Sequence, residues 1–98
     1  MNVEFATDEL DRLEVEPEFK AGLPRGVVKA YRKRIQMIRA AKDERDLYRM
    51  RSNRFKKLKG DRSYQRSMRL NDQWRLILEV VEARPGNIIR VISIEDYH

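Results

Sequence analysis

The chain has 98 residues and a net charge of +6, from 22 lysines and arginines against 16 acids, with no cysteine and one histidine, His98. A domain of this length buries only about 60–65% of its unfolded surface, so a single domain over residues 1–98 with a thin core is expected. The composition excludes disulfides, thiolate zinc clusters and histidine-rich metal sites, so neither metal nor cofactor is expected. With no signal-peptide flank and no apolar run of bilayer length, the expectation is a soluble cytoplasmic protein without a membrane partner.

Val3 to Ala6 reads as a short first strand. Thr7 suits an N-cap, Asp8 and Glu9 sit where the helix dipole favours negative charge, and Leu10 and Leu13 share a face. A short helix therefore runs from Asp8 to about Glu16, and Pro17 stops it. Pro24 suits the first position of the next helix. Val27, Tyr31, Ile35 and Ile38 then recur at helical spacing, widened by Val28 and Met37, with Lys29, Arg32, Lys33 and Arg39 largely off the stripe; this predicts a helix over 24–41. Residues 42–47 add a further helical turn with Asp43 as its cap.

Past residue 52 the pattern changes. Gly60-Asp61-Arg62 is a turn signal, and Tyr64 to Leu70 alternates, with Met68 and Leu70 on one face and Ser67 and Arg69 on the other. Asn71-Asp72-Gln73 is a second turn, Trp74 to Val81 a central strand, Arg84-Pro85-Gly86-Asn87 a third turn, and Ile88 to Ile94 a final apolar strand. The expected fold is α+β: a short N-terminal strand, two helices, then about four antiparallel strands, with the helices on one sheet face. The other face is left to solvent, where outward-pointing Arg and Lys line up.

Charge is distributed unevenly. Residues 1–24 carry seven acids and two bases, residues 25–75 eighteen bases and five acids, and residues 76–98 four acids and two bases. The middle half alone has a net charge of +13, which points to a polyanionic partner. For any single Lys or Arg in this block, a solvated surface role is the simpler reading. The acidic first segment reads as ordinary helix surface.

Three segments carry chemistry. In the run Phe55 to Arg62, strand alternation would turn Lys57 and Lys59 one way and Lys56 and Leu58 the other; alone, this resembles an edge strand guarded by lysines. Arg75 stands in an otherwise apolar strand, where its fork serves either a phosphate or a structural pair with a carboxylate such as Glu79 or Asp96. Glu95-Asp96-Tyr97-His98 follows an apolar strand that should pin it to the sheet. A histidine can titrate near neutral pH, and at His98 the neighbouring Asp96 and the terminal carboxylate would favour the charged form. Cleaving RNA without a metal needs a base for the ribose 2′-hydroxyl, cations for the pentavalent phosphate and an acid for the leaving oxygen. Lys, Arg, Tyr and His together can fill those roles.

Leu58-Lys59-Gly60-Asp61-Arg62, then Ser67 to Leu76 through the Trp74-Arg75 pair, then Asp96-Tyr97-His98, together resemble the HigB branch of the RelE/ParE toxin superfamily. The resemblance covers most of the second half in order and spacing, and the first half in layout. It implies a RelE-like fold and a toxin of a type II toxin–antitoxin system, a metal-independent endoribonuclease cutting mRNA in the ribosomal A site. It implies a helix-turn-helix antitoxin, HigA-like, through which alone the toxin reaches operator DNA. By the resemblance, Lys59 and Arg75 stabilise the scissile phosphate, Asp96 and His98 handle protons or orient the mRNA, and Tyr97 stacks or donates. Lys56, Lys57, Arg62 and Arg69 are candidate RNA-binding residues. Many relatives have histidine where Lys56 stands; here Lys56 becomes a phosphate ligand or an acid of depressed pKa. Two other readings compete: a ParE-like inhibitor of DNA gyrase, which needs no proton-transfer groups, and a nonenzymatic nucleic-acid binder, against which the lack of an evident stacking platform counts.

Overall fold

The computed structural model describes residues 1–96. Strand β1 (Asn2–Phe5) leads through helices α1 (Asp8–Val15), α2 (Arg25–Ala40) and α3 (Glu44–Arg49) to strands β2 (Lys56–Lys57), β3 (Gln65–Arg69), β4 (Trp74–Val81) and β5 (Ile88–Asp96). Single 3-10 turns fall at Arg51–Asn53 and Gly60–Arg62. The five strands form one sheet in the order β1-β5-β4-β3-β2. β2 to β5 pair antiparallel, while β1 pairs parallel with β5, Val3 opposite Ile89 and Phe5 opposite Val91. The α+β architecture is the expected one, with one more helix than the two anticipated.

Local chemistry explains most boundaries. Thr7 Oγ1 accepts from Leu10 N at 3.2 Å and opens α1; Asp43 Oδ1 accepts from Arg45 N at 2.9 Å and makes residues 44–49 a helix of their own. Pro24 sits one place earlier than expected, as the N-cap, with ψ 145 still extended. Its carbonyl accepts from Val27 N at 3.0 Å and Val28 N at 3.1 Å.

The α2 stripe is the core. Val27, Tyr31, Ile35 and Ile38 are buried together with Leu10 and Leu13 of α1 and with Met68, Leu76, Leu78, Ile89 and Val91 of the sheet. Much of the basic helix surface is spent on holding α1. Arg32 donates to the carbonyls of Leu13, Glu16, Pro17 and Phe19, which closes the otherwise unpaired end of α1. Arg39 forks onto Glu14 with two 2.8 Å bonds. The acidic first segment is therefore in part a counter-surface to α2.

Tyr31 joins α1 to α2 from inside: its hydroxyl donates to Leu10 O at 2.7 Å. Burial, reinforced by Glu14 and Asp11, pushes this phenol up, so it stays a donor. Tyr31→Phe is expected to lower stability by about 1–3 kcal/mol, because Leu10 O loses its buried donor. A urea melt followed by far-UV circular dichroism reads this as a lower midpoint at constant slope.

Candidate active site

The pairing of β3, β4 and β5 sets which side chains meet. Leu76 and Leu78 face the helices, so Arg75, Ile77 and Glu79 face away. Directly opposed residues share a face. One row on the far face therefore reads Arg69, Arg75, Glu95; the next reads Ser67, Ile77, Ser93; the third reads Gln65, Glu79, Arg90.

This face is less open than the alternation suggested. Ile77 and Ser67 are almost wholly buried there. Gly60, at φ +65, turns the chain after Lys59 in a conformation that other residues adopt only with strain. The 3-10 turn that follows sends Arg62 back across the sheet. Its guanidinium bonds Gln65 Oε1 at 3.0 Å and grips Glu95 at 2.9 and 3.2 Å. Arg62 is thus held between the outer two rows, over the Ile77 row. The Arg62 hydrogen bonds, with help from Ser93 Oγ at 3.0 Å, hold the Glu95 carboxyl below its usual range. Glu95 is ionised at neutral pH and serves as a fixed anion that positions Arg62.

Beside this lies a groove of about 360 Å³ along the sheet edge, lined by Lys56, Lys57, Leu58, Lys59 and Arg62. Lys56 and Lys57 do take opposite faces, paired with Ser67 and Arg66, but the alternation does not carry on to Lys59. β2 ends at Lys57, and all three lysines line the same groove. Lys56 is opposite Ser67, which places it on the face that carries the Arg75 row.

Arg75 Nη1 donates to Asn71 O at 2.6 Å and to Trp74 O at 3.2 Å, which ties its head to the β3–β4 turn. That turn is built by Asn71, whose Oδ1 accepts from Gln73 N and Trp74 N, both at 2.8 Å. Glu79, one carboxylate considered for Arg75, lies four residues along the strand and accepts from Gln65 at 3.2 Å. Asp96, the other, is opposite Trp74, which by alternation assigns it to the helix-side face; its Oδ2 accepts from Gln73 Nε2 at 3.0 Å. Arg69 pairs with Asp72. Lys56, Arg69 and Arg75 thus share the far face of the sheet, and Lys56, Lys57, Lys59 and Arg62 line the groove at its edge. Tyr97 and His98 lie outside the described residues.

Residues 3–95 match the HigB-like toxin family, described as the RelE-like toxin of the type II toxin–antitoxin system HigB. The chain belongs to this family. A comparison with curated protein sequences found no match. Among solved structures, the YoeB/ParE toxin from Agrobacterium tumefaciens is similar in fold, with a TM-score of 0.60 at 18% identity over 100% of both chains. Membership of a type II system makes a protein antitoxin the partner of this HigB-like toxin. No helix among its described residues is long and apolar enough to cross a membrane.

Sequence reasoning singled out the toxin's cations and missed what orients them. Glu95, rather than Asp96, shares the Arg75 face, and Gln65 and Ser93 complete the hydrogen bonds around it. The odd–even spacing of Arg75, Ile77 and Glu79 against Ser93 and Glu95 carries this signal, but only once the β4–β5 register is known. Arg54 also escaped notice, because it lies in neither a strand nor a motif.

Proposed function

We propose that this HigB-like toxin is a ribosome-dependent, metal-independent mRNA endonuclease that stops translation in the cytoplasm. The observation that supports this reading most is the linkage of the lysine groove to the Arg75 row through the Arg62–Glu95 bridge. A phosphodiester laid there meets cations from three chain segments, of which Arg62 and Arg75 are held by hydrogen bonds. Preorganised charge of this kind lowers the barrier to a pentavalent phosphate more than proton transfer alone does.

In this proposal Lys59 and Arg75 stabilise the scissile phosphate. Lys56, Lys57, Arg62 and Arg69 hold the flanking RNA. Asp96 and His98 handle protons or orient the mRNA, and Tyr97 stacks on a base or donates a hydrogen bond. Lys56 replaces the imidazole of many relatives as a phosphate ligand. The partner is a HigA-like helix-turn-helix antitoxin, and operator DNA is reached only through it.

The test is induction of the toxin in growing bacteria with mapping of message ends. The expected result is growth arrest with cuts inside translated codons, while purified toxin leaves naked RNA nearly intact. Intact messages together with a DNA damage response would instead establish a gyrase inhibitor and end the ribonuclease proposal.

A further inference from the structure

The Arg75 row extends beyond β4. Arg69 is opposite Arg75, and β2 pairs with β3 through Lys56 and Ser67. Two places before Lys56, Arg54 leaves the 3-10 turn that packs against β3. Its φ of 47 marks a break from extended backbone at the exit of the 3-10 turn. Arg69 and Arg75 are thus opposed across one end of the sheet, and Arg54 of the neighbouring segment lies close enough to act on the Asp72 carboxylate beside them. From below, Arg34 of α2 adds a fourth guanidinium. It is only 8% exposed, and its Nε donates to the backbone carbonyl of Arg69 at 3.0 Å. Its Nη1 faces only the Met37 sulfur at 3.9 Å, so no carboxylate of the described residues compensates it. A buried guanidinium without a counter-charge is costly unless an anion is expected close by.

One anion already sits there. The Asp72 side chain is 98% exposed, yet its carboxylate is drawn back onto Arg69. The Arg69 hydrogen bond, with Arg54 and Arg75 nearby, holds that carboxyl below its usual range. The turn itself is supported by the Asn71 side chain.

We propose that Arg54 and Arg69, beside Arg75 of the scissile-phosphate site, form a second phosphate subsite for the single-stranded message, and that the Asp72 carboxylate occupies it until RNA displaces it. The inference rests on the ribonuclease reading and extends it along the strand. Arg69 lies two residues along β3 from Ser67, the partner of Lys56, a distance of roughly 7 Å. That separation suits successive phosphates of an extended strand. Arg34 does not touch RNA; it adds positive field and fixes the Arg69 backbone.

The experiment measures binding of a short fluorescent single-stranded RNA to the full chain across a salt series. Each phosphate contact contributes about −0.7 to the log–log slope. Asp72→Asn is expected to tighten binding several-fold and to steepen the slope by about 0.7. Arg54→Ala is expected to flatten it by about the same amount. Arg45→Ala, on the exposed face of α3 and paired with Asp43, serves as the control and should leave the slope unchanged. If wild-type protein binds RNA and either Asp72→Asn or Arg54→Ala keeps the wild-type slope, the subsite is refuted while the Lys59–Arg75 reading stands. If wild-type protein does not bind RNA, the subsite falls, while the ribonuclease reading is decided separately by cleavage of translated messages on induction. A polyglutamate peptide is titrated in parallel. Should the two substitutions change its binding and leave that of RNA alone, the row serves an acidic protein segment and the proposal is overturned.

Discussion

Arg75→Ala is expected to relieve growth arrest on induction and to reduce message cleavage by about 10²–10³-fold, the usual cost of losing one preorganised donor at a developing negative charge. Arg75 is suited to a large effect for three reasons. It is half-buried on a central strand, so its position does not wander. Its Nη1 is anchored to Asn71 O and Trp74 O, which aims the guanidinium. Its neighbours across the sheet, Arg69 and Glu95, are themselves held by Asp72 and Arg62. The fold should survive, since Arg75 lies beside a turn, where water can reach the carbonyls of Asn71 and Trp74; thermal melting of the purified variant checks this. Arg75→Lys should recover only part of the activity, because a point charge cannot fork between two phosphate oxygens. Deletion of His98 belongs in the same experiment and probes proton transfer separately from charge. Full toxicity in a folded Arg75→Ala protein would remove Arg75 from the mechanism.

Ile35→Ala is expected to destabilise the protein by about 2–5 kcal/mol. Ile35 is completely buried at the middle of α2, in the cluster that also holds Leu76 and Leu78 of β4. Removing its outer carbons costs the transfer term and leaves a cavity that two rigid layers cannot close. Against a typical total of about 5–15 kcal/mol, such a loss takes a large share of the stability, and more so in a chain with so thin a core. Chemical denaturation should show a much lower midpoint with an unchanged slope. Val15→Ala, at a position 63% exposed, should stay within about 0.5 kcal/mol of wild type. Equal effects of the two substitutions would mean that α2 does not pack as described.

What could be read from the residues alone was whatever depends on near neighbours in the chain. Thr7 and Asp43 announce their helices because a cap bonds within three residues. The apolar stripe of α2 is visible because helical spacing repeats locally, and the turns at Asn71 and Gly60 are visible because each needs a particular side chain or backbone freedom. The block of bases and the Trp74-Arg75 pair are equally plain in one dimension, and with them the kind of partner and the main candidate cation. The parallel pairing of β1 with β5 was not legible, since it joins residues more than eighty positions apart and no local signal records which edge a short strand will take. The same holds for the site. Whether Glu95 or Asp96 stands beside Arg75 turns on a one-residue choice of register, and a slip of one place exchanges every side chain between the faces. Tertiary contacts also decided that Arg62 crosses the sheet, that three lysines share one groove, and that Arg54 comes near Asp72, because each of these positions is set by which segments come to lie side by side.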